Sequence, residues 1–343
     1  MTFQTRHAMM SAIQTINPGP FPFTSPAMKF FINLFFLCAA LESLGADWPA
    51  RLFAPYMYIG ADDNFQITQC DEACGQKFYT IAFIIADRQN NPAWDGRFAL
   101  ETNLYADQIT TIRRRGGDVI VSFGGGAGTE LALVETNTAA LAAKYQSVID
   151  RYQFTWLDFD IEGGAMKKTK VNQRRNDALV MLQAKNPGLL ISFTLPVDPD
   201  GIPDSALKML ADARAKGVKV YSANVMTMDY GKHFSGGKKM SDVSIASALK
   251  AHAQCQAIDP AMRLGLTPMI GVNDEPGETF TLEDARALKA WADQQPWICS
   301  LSFWASNRDA GKTSQKGNDN TTSGIPQKPW DFTLIFQPFT IPR

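Results

Sequence analysis

Between residues 51 and 304, a short β-rich apolar run gives way to an amphipathic stretch again and again, and this alternation limits the possible folds more than any other feature of the chain. Eight runs read as strands: 52–58, 79–86, 118–123, 154–160, 189–195, 218–226, 263–269 and 298–304. Helical spacing is clearest over 101–115, 129–152, 170–185, 204–216, 242–257 and 282–294. Eight strand-helix units predict an α/β protein built as a single (β/α)8 barrel. A doubly wound open sheet rarely needs eight repeats, and it calls for a glycine-rich phosphate turn after its first strand. The glycine-rich stretch here, Gly124-Gly-Gly-Ala-Gly128, follows the third run and carries no Lys-Ser/Thr.

Chemistry in such barrels sits at the C-terminal ends of the strands. The unusual residues fall there: Ser122-Phe-Gly-Gly-Gly126 after the third run, Asp158, Asp160 and Glu162 at the fourth, Met226-Thr-Met-Asp-Tyr230 at the sixth, and Phe303-Trp304 at the eighth. The acidic triplet is the most informative. A strand alternates faces with period 2, so the three carboxylates share one face while Leu157, Phe159 and Ile161 point to the other. Phe154 and Trp156 fall on the side of the acids. Same-face neighbours lie roughly 6.6 Å apart along a strand, close enough to couple in a poorly solvated site and to hold at least one acid protonated. A proton donor beside an ionised partner is what cleavage of a glycosidic bond needs. A solvated outer face would explain acids at this spacing, but it fits poorly with large apolar neighbours and the Gly163-Gly164 that follows.

The formal net charge of −1, with no basic run, gives no electrostatic basis for nucleic-acid or anionic-membrane binding, so neutral polymers or small molecules are the expected partners. Residues 1–46 read as an N-terminal extension with a signal peptide, and 47–343 as the catalytic barrel. The apolar run 30–40 after Met28-Lys29 is too short to span a bilayer and has the length of a signal h-region. Small residues at Ala40 and at Gly45-Ala46 suit cleavage, and Met28 is the start to test; an uncleaved anchor is the rival reading. The expectation is a secreted or periplasmic monomer with no lasting membrane association. Export permits disulfides: Cys70 and Cys74, in a stretch read as a loop, are the expected pair, with Cys255 and Cys299 read as buried thiols. Three histidines and no clustered Cys/His spacing argue against zinc, and no metal or cofactor is expected.

Asp158-Phe-Asp-Ile-Glu162 and Ser122-Phe-Gly-Gly125, in this order and spacing, resemble the fourth-strand and third-strand motifs of glycoside hydrolase family 18, the chitinases, and most nearly their bacterial secreted branch. The resemblance extends to Tyr56 on the first strand, to Met226, Asp229 and Tyr230 on the sixth, and to Trp304 on the eighth. It implies that Glu162 protonates the leaving glycosidic oxygen and then activates water. Asp160 would hold the 2-acetamido group of the substrate, whose own carbonyl oxygen attacks the anomeric carbon with net retention, and Asp158 would share charge with Asp160 so that Glu162 rests protonated. Trp304 would floor the sugar, with Met226, Asp229 and Tyr230 around the acetamido group and Ser122, Gly124 and Gly125 in the turn beside it. Chitin or N-acetylglucosamine oligosaccharides are then the substrates. An endo-β-N-acetylglucosaminidase on N-glycans and an inactive chitin-binding lectin are the alternatives, although lectins of this kind usually lose the acid that Glu162 provides.

Three positions depart from the family pattern. Thr155 stands where the motif begins with Asp, and its parity turns it away from the ladder. Met228 occupies a position that is often Tyr, so Tyr230 or Asp229 would have to supply the contact with the acetamido oxygen. Tyr58 stands where relatives tend to carry an acid. Trp48, Trp94 and Trp330 suit an extended cleft and apolar packing equally well.

Overall fold

The computed structural model describes residues 48–60, 65–311 and 320–341, all within the unit Gly45–Arg343. The signal-peptide reading, with Met28, the run 30–40 and the cleavage candidates up to Ala46, lies outside the described residues.

The first barrel strand, β1, comes in two pieces, Leu52–Phe53 and Tyr56–Tyr58. The others are β2 (Phe78–Ala86), β3 (Asp118–Gly124), β4 (Trp156–Asp160), β5 (Leu190–Pro196), β6 (Val220–Met226), β7 (Arg263–Thr267) and β8 (Ile298–Leu301). All pair in parallel and in chain order from β2 to β8. The first piece of β1 pairs with β8 and the second with β2, which closes the sheet into a barrel. Pro55 separates the pieces because it has no N–H for the ladder. Its carbonyl still accepts from Thr80 N at 3.0 Å, while Ala54 N and Tyr56 N reach the carbonyls of Leu301 and Phe303, each at 3.0 Å.

Each strand is followed by a helix: α1 (Ile67–Cys74), α2 (Ala106–Arg114), α3 (Thr138–Tyr152), α4 (Thr169–Lys185), α5 (Asp204–Lys216), α6 (Met240–Ile258), α7 (Leu282–Ala292) and α8 (Asp331–Phe336). The expected eight-unit barrel is therefore present, with corrections inside it. The single helix expected over 129–152 is two, Leu131–Val134 and α3, because Asn137 accepts the N–H of Ala140 and starts a new helix. The stretch around Cys70 and Cys74 is α1 and not a loop, and it ends at Gly75 in the left-handed conformation. The two sulfurs lie 3.4 Å apart as thiols. Residues i and i+4 of a helix hold their Cβ atoms about 5–6 Å apart, farther than a disulfide accepts. Cys255 and Cys299 are buried thiols.

Strand parity sorts the side chains into an outer layer and a barrel interior. Phe159 is fully buried outside the sheet, stacked on Phe123 at 5.2 Å and edge-on to Tyr145 at 5.2 Å; burying such a ring contributes roughly 1.5–3 kcal/mol. Inside, the N-terminal mouth of the barrel is closed by Trp48, Leu52, Ala54, Ile120 and Trp156. Trp156 thus shares the acids' side, as expected. Phe154 does not: it precedes β4 and packs outside, against Tyr152 and Trp94.

Candidate active site

Above Trp156 the interior becomes polar in layers. Ser122, Asp158, Ser192 and Ser222 are register neighbours across β3 to β6; one layer higher stand Gly124, Asp160, Thr194, Asn224 and Gly265. Asp158 accepts from four hydroxyls: Tyr56 at 2.9 Å, Ser122 at 2.7 Å, Ser192 at 2.6 Å, and Thr194 at 2.9 and 3.0 Å to its two oxygens. Burial pushes the Asp158 pKa up, and these four bonds oppose the push.

Asp160 and Glu162 sit in a different environment. Asp160 is 5% exposed, and its Oδ1 has no hydrogen-bond partner among the described residues. Burial, then the charges of Glu162 and Asp158, hold its pKa well above the usual carboxylate range. Burial also raises Glu162, while a hydrogen bond from Asp160 pulls it back. Burial and mutual repulsion thus favour keeping a proton on this pair, more strongly on the deeper acid. The expectation put that proton on Glu162; the surroundings favour Asp160, because it faces two carboxylates and lies farther from water.

The turn after β3 brings backbone, not side chains, to the site. Gly124 (φ +102°) and Gly125 (φ +85°) are left-handed; a Cβ on Gly124 would collide with the Asp160 carbonyl oxygen, and one on Gly125 would come within 2.6 Å of the Phe83 ring. Gly124 lines the cleft, whereas Ser122 lies beneath it on Asp158. A buried ion pair braces this turn from outside. Glu130 receives Arg175 Nη2 at 2.7 Å and the Tyr145 hydroxyl. Arg175 also donates to Asn172 Oδ1 at 2.8 Å, and Asn172 holds the Met166 carbonyl at 2.9 Å, just beyond Glu162. The loops on either side of the ladder are thereby fastened to α4.

The cleft over the ladder has a volume of about 730 Å³, within the range of small-molecule sites. One wall is aromatic: Trp304 stacks on Phe83 at 5.8 Å with 17° between the planes and meets Tyr58 at 5.1 Å and Tyr56 at 5.8 Å. The peptides Ala82–Phe83 and Trp304–Ala305 are cis. Met226, Met228 and Met269 also line the cleft, Met269 as the bridge partner of Trp304 on the neighbouring strand. The lining includes the carboxylates of Asp95, Asp198, Asp229 and Asp274 besides the ladder, and no Lys, Arg or His among the described residues.

Two sixth-strand residues behave unlike their motif. Asp229 lies at φ +51°, which turns the chain, and Tyr230 then points its hydroxyl toward Ser244 of α6 at 3.4 Å. Tyr230 lines the cleft with its ring but turns its hydroxyl away from it. Asp229 accepts the N–H of Glu275 at 3.0 Å, and burial pushes its pKa up to about 6. Sequence reading missed Phe83, Thr194, Asn224 and Thr267. Their signal was strand parity: Thr194 and Asn224 lie in register with Asp160. Thr155 accepts the indole N–H of Trp48 at 2.9 Å, at the closed end of the barrel and away from the acids. Trp48 plugs that end, and Trp94 is fully buried with its indole on the Tyr152 hydroxyl at 2.8 Å. Trp330 packs edge-on against Phe65, so none of the three lines the cleft.

Fold and site together define a (β/α)8 barrel with a carboxylate ladder under an aromatic-walled, acid-lined cleft. No protein-family model matches the chain. It is 34% identical to active domain 2 of a chitinase from Pyrococcus furiosus, covering 86% of this chain and 96% of that one with a TM-score of 0.78. It is 30% identical to a probable bifunctional chitinase/lysozyme of Escherichia coli over 85% of this chain, and to Endochitinase 11 of Metarhizium anisopliae over 76%. The chain spans 35% and 53% of the lengths of these two curated relatives. It belongs to the glycoside hydrolase family 18 chitinases.

Proposed function

We propose that the chain hydrolyses β-1,4 linkages between N-acetylglucosamine residues of chitin or its oligosaccharides, by substrate-assisted catalysis with retention. The observation that carries this reading is the pairing of a buried Asp160 with a half-buried Glu162 in the cleft that Trp304 lines, both held above the usual carboxylate range by burial, with one Asp160 oxygen lacking a partner among the described residues. In the proposed sequence, the sugar stacks its C–H face on Trp304. Asp160 accepts a hydrogen bond from the acetamido N–H, and its proton passes toward Glu162. Glu162 then donates a proton to the glycosidic oxygen as the C–O bond breaks, and the acetamido carbonyl oxygen forms the new bond to the anomeric carbon. Water, deprotonated by Glu162, opens the oxazolinium ion and restores the acetamide. No protein carboxylate becomes covalently bound, the substrate-assisted exception to the two-carboxylate scheme. Chito-oligosaccharides were bound by catalytic-site mutants of the Pyrococcus furiosus domain, which supports the same substrate class here.

The proposal includes the residue roles, membership of a secreted bacterial branch, action as a monomer, and export through the leader before residue 47. Amino-terminal sequencing of protein recovered outside the cytoplasm tests the export. The catalytic claim is tested on a chromogenic chitotrioside and colloidal chitin beside Glu162→Gln, with a high-mannose glycopeptide as competing substrate. The variant should lose about 10²- to 10⁴-fold in kcat, a thiazoline analogue of the sugar should inhibit, and glucosides lacking the acetamido group should not turn over. Equal rates for wild type and variant would end the enzyme claim. Turnover of plain glucosides would end the assisted mechanism.

A further inference from the structure

The four hydroxyls around Asp158 each have one proton to give, and their own positions do not oblige them to give it to Asp158. Thr194 Oγ1, for instance, also lies 2.8 Å from the Tyr56 hydroxyl. Direction comes from the next residues outward. Asn224 on β6 donates from Nδ2 to Thr194 Oγ1 at 2.9 Å and reaches the Tyr56 hydroxyl at 3.5 Å. An amide nitrogen only donates, so a hydroxyl that accepts from Asn224 has its own proton left for Asp158. The amide is oriented in turn by Thr267 on β7, whose hydroxyl donates to Asn224 Oδ1 at 3.0 Å. A reversed amide would present its oxygen to Thr194 and draw that proton away from Asp158. Gly265, the register partner of Asn224, leaves room for this arrangement: a Cβ there would lie 2.7 Å from Asn224 Oδ1 and would run into the Ser300 hydroxyl. On the other flank the Trp156 indole, also a pure donor, gives to Ser192 at 3.0 Å, and Ser192 passes its proton to Asp158.

We propose that Asn224 and Thr267 are positioning residues that fix the direction of the hydroxyl protons around Asp158, so that Asp158 accepts at every bond and the mobile proton is left to Asp160 and Glu162. Neither residue reaches a reacting atom in this scheme; both act through Thr194 and Tyr56. The titratable groups facing Asp158 are Tyr56 of β1 and Asp160 of its own chain segment, while β3, β5 and β6 present hydroxyls and the Asn224 amide. Only the kinetic consequence rests on the chitinase reading.

The test compares Thr267→Val, Thr267→Ser and Asn224→Leu with wild type. Thr267→Val keeps the shape and removes the proton that orients the amide. Asp158 then loses a donor and binds a proton more readily, so the acid limb of kcat/KM should move to higher pH, with kcat down about tenfold, the worth of one hydrogen bond to a charged group. KM should stay within about twofold, because Val fills the same place that Thr267 takes in the cleft lining. Thr267→Ser should restore the wild-type profile, and Asn224→Leu should exceed Thr267→Val. In parallel, infrared absorption of protonated carboxyl groups is titrated without substrate. Thr267→Val should gain a carboxyl that protonates at higher pH, and Thr267→Ser should not. A folded Thr267→Val enzyme with the wild-type acid limb and infrared titration overturns the proposal. If Asn224→Leu fails to fold, the Thr267 pair still decides. If wild type cleaves no chito-oligosaccharide, the chitinase reading fails while the infrared titration still decides this one.

Discussion

Asp158 and Glu162 are four residues apart on one stretch of chain, yet they occupy opposite surroundings. The floor of the ladder is saturated: Asp158 takes bonds from four hydroxyls that belong to three different strands. The rim is left short of partners: one Asp160 oxygen has none among the described residues, and burial beside Glu162 favours the protonated form of Asp160. The same functional group serves as a fixed acceptor below and as a mobile donor above, and the difference is made by hydroxyl supply. A floor built this way is committed to one protonation state, whereas the rim is poised to change its own.

The contrast can be broken at the floor first. Asp158→Asn puts two N–H donors among hydroxyls directed to donate, so at least one bond must reverse or be lost. Denaturant unfolding should show a loss of roughly 1–3 kcal/mol, beside a fall in kcat. An unchanged midpoint would mean the hydroxyls turn freely and the floor is not committed.

At the rim the effect on stability should have the opposite sign. Asp160 and Glu162 have folded-state pKa values above those of an unfolded carboxylate. The folded state therefore binds a proton on this pair more tightly; that contribution is fully present below about pH 4 and is lost as pH rises through the folded values. Asp160→Asn removes the penalty of ionising a buried carboxyl beside a second one. Its Tm should exceed that of wild type by a few degrees at neutral pH, and the gap should close toward pH 4, while activity falls. A gap that widens on acidification would reverse the assignment.

The smallest expected effect sharpens the account of the wall. Met228→Tyr returns a hydroxyl to a side of the cleft where thioethers stand and where Tyr230 has turned its own hydroxyl away. One neutral hydrogen bond is worth about 1 kcal/mol, so KM for a chitobioside should fall by up to about fivefold with kcat nearly constant. No change would mean that the Met228 position does not meet the substrate.

What could be read from the sequence followed the reach of local patterns. Each of the eight strands lies within a few residues of its expected position, because alternating apolar runs and amphipathic stretches are written locally. The ladder was legible for the same reason: period 2 on one strand places Asp158, Asp160 and Glu162 on a common face. α1 was not, since Ile67-Thr-Gln-Cys-Asp-Glu-Ala-Cys74 is short and Gln66 gives no side-chain cap. Tyr230 was misplaced because one left-handed residue, Asp229, breaks the alternation. For Phe83, Asn224 and Thr267 strand parity becomes a signal only once the strand pairing is known, because their roles depend on contacts between strands far apart in the chain. The order of protonation at the rim depends on depth, which spacing along one strand does not give.

The seam at β1 bears on how such a chain is made. Ser302 donates to the Ala54 carbonyl at 2.7 Å across 248 residues of sequence, and the two pieces of β1 join β8 to β2. A nascent chain emerging from the ribosome would hold β1 through β7 as a curling sheet with two unpaired edges, the kind of surface that recruits other strands. Only when residues 298–303 have been made can both edges disappear together. Truncation just before β8 should therefore yield an aggregating product instead of a smaller enzyme, although every acid of the ladder would still be present.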